Sequence, residues 1–184
     1  MKFTFYPAGT WEGTLTPNAD TYFYNHGGGM IYGSEPTMVI GEWTTYGDIW
    51  QSLLRFEIPG FQSGRIETAT LTLTYYARPT YPTPTDRTMK VHACLGEWDE
   101  STARWGNKPP MSSASIQELP LTLDGDCYKK KYAWTLTPDA ALAALADGIY
   151  LLQGWPTIDT LSYATWATKE TPSRYHPTLE VKLA

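Results

Sequence analysis

Residues with the means for chemistry are few in this chain. Its 184 residues include three histidines, His26, His92 and His176. No two of them lie four apart, so no helix can present a zinc pair of the His-Glu-x-x-His kind. There is no Gly-x-Ser-x-Gly turn to expose a serine nucleophile, and no phosphate-cradling glycine loop. Acidic residues do pair, as Asp99-Glu100 and Asp124/Asp126, but in stretches that read as loops or turns. Acids in turns are usually solvated or bonded to their own backbone. Asp20, Asp99 and Glu100 are the candidate ligands of one structural calcium ion, since hard cations take oxygen donors. No EF-hand spacing accompanies them, and no other cofactor is expected. Nothing assembles into a nucleophile or an acid–base pair, so the expectation is a protein that is not an enzyme.

Binding is better provided for. The chain carries 8 Trp and 13 Tyr. A pyranose ring lays its C–H face on a flat aromatic, while its hydroxyls take fixed hydrogen-bond partners. Trp98, Trp105, Trp134 and Trp166 read as packing residues. Trp43, Tyr46 and Trp50 differ, because they cluster in the polar, glycine-flanked stretch 42–50. Tyr81 stands in a proline-rich segment bounded by Arg78 and Arg87. These six, Trp43, Tyr46, Trp50, Arg78, Tyr81 and Arg87, are the candidate ligand- or partner-binding residues. The competing reading is that the aromatics cover a sheet edge. The net charge of −5 excludes the basic stripe of a nucleic-acid binder. Arg78, Arg87, Lys90 and Lys129-Lys130-Lys131 could still gather into a basic patch for an acidic polysaccharide, against the alternative of a solvated face.

Such loops need a rigid scaffold. Leu54, Phe56 and Ile58 share one face of a strand over 51–58, and Ala69, Leu71, Leu73 and Tyr75 alternate with four threonines from Thr68 to Thr74. Period-two alternation marks strands with one buried face. Val91, Leu179 and Val181 belong to the same expected core. Further strands are expected over 89–95, 128–136, 148–153, 161–167 and 177–183. One short helix is expected near 138–146, with Thr137 as cap, Pro138 at its first position and Gly148 beyond its end. Leu142 and Leu145 should pin it. Asn25 to Gly29 reads as a flexible tip. The pattern predicts an all-β fold, a two-sheet antiparallel β-sandwich of the jelly-roll kind, as a single domain over 1–184. Cys94 and Cys127 lack zinc-site spacing and are expected unpaired, with a bridge as the alternative. No apolar run approaches the roughly 20 residues of a membrane span, and the start lacks the apolar region of a signal peptide.

The order of motifs resembles the DNRLRE, or disaggregatase-related, domain, a jelly-roll group that includes carbohydrate-binding modules. Asn18-Ala19-Asp20-Thr21-Tyr22 is similar to its opening strand, and Tyr32-Gly33-Ser34 with Met38-Val39-Ile40-Gly41 to its second. Ser52-Leu53-Leu54-Arg55-Phe56 resembles its signature strand, and Ile66 to Leu73 the strand that follows. The stretch from Trp98 to Pro109 resembles its Trp–Trp–Pro corner, and Tyr175 to Val181 its closing strand. The resemblance covers about 16–184 and leaves 1–15 as an N-terminal extension. It implies polysaccharide attachment outside the cell, not chemistry. Stretch 42–50 and the proline-rich segment depart from the pattern.

Three functions follow as expectations. The first is a non-catalytic extracellular or virion-surface protein of capsid-decoration, fibre or attachment type, with polysaccharide binding open as its task. A chain without an export signal fits a particle released by lysis. The second is a secreted carbohydrate-binding module for an acidic polysaccharide. The third is a jelly-roll polysaccharide lyase, suggested by Val91-His92 but opposed by Lys90 and by the missing arginine-rich strand. The expected partner is a glycan or a virion or surface protein, with a homo-oligomer open, and neither nucleic acid nor membrane.

Overall fold

The structure, a computed structural model, describes residues 3–5, 11–43, 45–58, 65–76, 86–123, 127–154 and 162–184. In chain order these form β1 (Phe3–Phe5), β2 (Trp11–Leu15), β3 (Ala19–Tyr24), β4 (Thr37–Trp43), β5 (Asp48–Arg55), β6 (Ile66–Thr74) and β7 (Asp86–Ala93). Then come β8 (Gln117–Thr122), β9 (Lys131–Thr135), helix α1 (Pro138–Leu145), β10 (Ile149–Gln153), β11 (Ser162–Ala167) and β12 (Thr178–Leu183). One sheet runs β1-β2-β12-β6-β9. The other runs β11-β4-β5-β10-β7-β8, with β3 also paired to β5. Every pairing between these strands is antiparallel. The expected all-β, two-sheet antiparallel sandwich with one short helix is therefore the observed fold.

Apolar alternation builds the layer between the sheets. Leu54, Phe56, Ile58, Leu71, Leu73, Val91, Leu179 and Val181 are all buried in one cluster, as expected. Burying such side chains stabilises a fold by about 1.5–3 kcal/mol each. Trp166 is fully buried at one end of this layer. Its ring meets Tyr75, Tyr132 and Trp134 edge-on, at centroid distances of 5.5, 5.8 and 5.9 Å. A second, smaller cluster of Ala19, Phe23, Leu53, Trp98, Ala103 and Tyr150 lies beneath the corner that follows Trp98. The Trp98 indole donates to the Asp147 carbonyl at 2.7 Å, so this tryptophan packs as expected.

The helix starts as expected. Thr137 Oγ1 accepts from the Ala140 N–H at 3.3 Å, with Pro138 in the first turn. The expected Leu142 anchor is a correction: Leu142 is 40% exposed, and Ala140, Ala141 and Ala144 face the core instead. Small side chains let the helix backbone approach closely, and the Ala144 carbonyl accepts from the Phe56 N–H at 2.9 Å. Gly148 has φ +110°, and a Cβ there would lie 2.6 Å from the Leu54 carbonyl oxygen. Only glycine fits that turn. Three strands escaped the sequence reading. β1 and β2 lie within the expected N-terminal extension, and β8 carries Pro120. Cys94 and Cys127 are both buried, and no disulfide joins them.

Candidate functional site

β5 is flanked by β3 and β4, and β11 lies beyond β4. Register places Tyr24 opposite Trp50, Trp50 opposite Gly41, and Gly41 opposite Tyr163. Three aromatic rings thus stand in one row across four strands, with a side-chain gap at Gly41. Trp50 stacks on Tyr24, with ring centroids 5.1 Å apart and planes 10° apart. Across the gap, Tyr163 reaches to within 6.3 Å of Trp50. All three rings are partly exposed. At the turn joining β4 to β5, Trp43 meets Tyr46 edge-on at 4.4 Å, and Tyr46 is 62% exposed.

Polar groups border this row. The buried Asp48 carboxylate accepts from the Tyr24 hydroxyl at 2.9 Å. His26 Nδ1 lies 2.7 Å from the same carboxylate oxygen. A carboxylate there only accepts, so Nδ1 is the donor, and the ring itself is exposed. Partial burial and the bond to Asp48 push the Tyr24 phenol pKa up, which keeps it protonated. The tip that carries His26 is tied down, contrary to the flexible loop expected. Asn25 accepts from the Ile49 N–H and donates to the Gly47 carbonyl, each at 2.7 Å. Flat rings beside fixed donors and acceptors make a surface for holding a ligand. The Asp48 carboxylate is already engaged by two donors, Tyr24 and His26.

Of the six candidates from the sequence, Trp43, Tyr46 and Trp50 come together here. Arg87 corrects the expectation of a surface anchor. It is buried, and its guanidinium donates to the Tyr163 carbonyl at 3.0 Å, bracing the strand that carries one ring. Arg78 and Tyr81 lie outside the described residues. Tyr24, His26, Asp48 and Tyr163 were not singled out by sequence. The tip Asn25-His26-Gly27 beside a strand ending in two tyrosines was the available signal.

The calcium candidates divide. Asp20 and Glu100 meet, with the Asp20 N–H donating to Glu100 Oε2 at 3.2 Å. Asp99 instead caps its own turn, accepting from the Ser101 N–H at 2.7 Å. The Lys169 ammonium pairs with Glu100 at 2.9 Å and also with Glu170, supplying positive charge to these acids. Among the described residues, no group of three His, Cys, Asp or Glu side chains is arranged to hold a metal. His92, noted for the lyase reading, is buried, with Nδ1 2.8 Å from the Ser112 carbonyl oxygen.

No helix among the described residues is long and apolar enough to cross a membrane. No curated protein is similar enough to the chain to count as a match. A family model does match, over residues 12–182, and it is that of carbohydrate-binding module family 96.

Proposed function

This chain belongs to carbohydrate-binding module family 96, and we propose that it is a non-catalytic module that holds a glycan outside the cell on the row Tyr24, Trp50 and Tyr163. The observation that carries this reading is the cross-strand stack of Trp50 on Tyr24, beside a histidine held by a buried carboxylate. The rings offer an apolar floor to sugar C–H faces. His26 and the Trp43–Tyr46 turn border that floor. Strands hold the rings in place before a ligand arrives, so little ordering cost falls on binding.

Binding and folding separate in the test. Trp50→Ala and Tyr163→Ala should each weaken retention on the bound polysaccharide by about 2 kcal/mol, as central aromatic anchors do. Thermal melting should shift little, because neither ring belongs to the buried core. Wild-type retention by both folded variants would refute the reading. A secreted module and a virion-surface protein of decoration, fibre or attachment type would use the same surface. Comparing retention on purified particles and on soluble polysaccharide distinguishes these settings.

A further inference from the structure

A second aromatic cluster stands at the turn before β9. Lys129 there has φ +64°, the one non-glycine residue with positive φ among the described residues. Such a conformation is costly for a side chain with a Cβ, and costly backbones concentrate at functional positions. The turn is fastened to the sheet, with the Lys129 N–H donating to the Tyr75 carbonyl at 2.7 Å. The Lys129 ammonium lies 4.7 Å from the ring centre of Tyr128, 5.3 Å from that of Tyr175 and 5.9 Å from that of Tyr76. Arg174 lies 4.7 Å from the centre of the Tyr175 ring. Tyr76 in turn is 5.8 Å from Tyr128 and 5.5 Å from Tyr175. The three rings are partly exposed, and both cations are exposed. Two cations and three phenols are gathered, and among the described residues no carboxylate forms an ion pair with either cation.

We propose that Lys129, Arg174 and the rings of Tyr76, Tyr128 and Tyr175 form a second binding site, for a sugar bearing a carboxylate or a sulfate ester. The anion would accept from the ammonium, the guanidinium and the phenols, and the sugar ring would rest on tyrosine. Charge-assisted bonds of this kind are about twice as strong as neutral ones. The Arg174 guanidinium and the Lys129 ammonium hold the Tyr175 phenol pKa below its ordinary value, which makes its O–H a better donor.

This site adjoins the first. The Tyr76 N–H donates to the Thr165 carbonyl at 2.9 Å, and Tyr75 bridges the buried Trp166. Tyr76 and Tyr163 are both partly exposed, while Thr165 between them is buried. Of the basic residues noted in the sequence, Lys129 is the one that this geometry selects. The proposal rests on the glycan reading for its sugar, but not on the Trp50 row.

The test compares the full chain with a Lys129→Asn/Arg174→Gln variant, asparagine being tolerant of the left-handed conformation. Retention is measured on a sulfated glycan, a uronate polymer and an uncharged polysaccharide, at two salt concentrations, with inorganic sulfate as competitor. Thermal melting confirms the fold, and Tyr175→Phe serves as a milder variant. The double variant should lose affinity for anionic polymers about tenfold or more, two charge-assisted contacts being removed. It should also lose their salt dependence and keep its hold on the uncharged polymer. A response to one anionic polymer alone identifies which anion the site takes. Parental retention of both by the double variant would overturn the proposal, as would a parent indifferent to charge on the polymer. If Trp50→Ala changes nothing while Lys129 and Arg174 still matter, the first site fails and this one stands.

Discussion

A carboxyl group sealed from water prefers to keep its proton, and Asp20 is such a group. It is fully buried at the start of β3, with Oδ2 accepting from the Lys169 N–H at 2.8 Å and no partner for Oδ1 among the described residues. Burial raises its pKa to about 7, aided by the charges of Glu170 and Glu100 and opposed by Lys169. The folded value lies above the unfolded one, so the ionised form burdens the fold above pH 7. Stability attributable to Asp20 is regained as pH falls from about 7 towards 4. Asp20→Asn keeps the shape and removes the charge. Its melting temperature should exceed that of the parent at pH 8 and approach it near pH 4. Equal destabilisation at both pH values would mean that the charge is not what Asp20 contributes. The sequence marked Asp20 and Glu100 as oxygen donors. It could not show that Lys169, almost 150 positions further on, supplies their positive charge.

Elements were legible where alternation was long. β5, β6 and β12 bury the side chains expected of them because several apolar residues repeat at period two. β2 has only Trp11 and Leu15 to bury, around a glycine, and β8 contains a proline that argues against a strand. The helix was recognised from its cap and its ends, and Leu145 packs against the core as expected, but Leu142 was misread. Alanine permits closer approach than leucine, and only the packing reveals which the sheet requires. The aromatic row was half legible for a related reason. Trp50 was singled out within one short stretch, whereas Tyr24 and Tyr163 join it through registers linking distant parts of the chain. Gly148 provides the test at this scale. Gly148→Ala should cost at least about 1–3 kcal/mol from backbone strain alone. The closeness of the Leu54 carbonyl would add to that. An unchanged melting temperature would mean that the turn after α1 relaxes freely.

Across the whole molecule, the two sheets share one apolar layer, and β11 touches both. It pairs with β4 along its length, and Trp166 within it bridges Tyr75 at the end of β6. The sheets should therefore unfold together. Leu71→Ala should cost about 2–5 kcal/mol and should shift tryptophan fluorescence and far-ultraviolet circular dichroism transitions by the same amount. Separate transitions would show that the sheets are independent. The outermost strand of the seven-stranded sheet, β8, carries the exposed Pro120, whose carbonyl is taken by the Trp134 indole N–H at 2.6 Å. Proline has no N–H to offer an incoming strand, and this carbonyl is already occupied. An unprotected strand edge invites a neighbouring copy to add its own and begin a fibre. Copies retained on a polysaccharide would be crowded together, where that hazard is greatest. β8 thus meets crowding with one position that cannot zip to a neighbour, so dense coating of a polymer need not become irreversible aggregation.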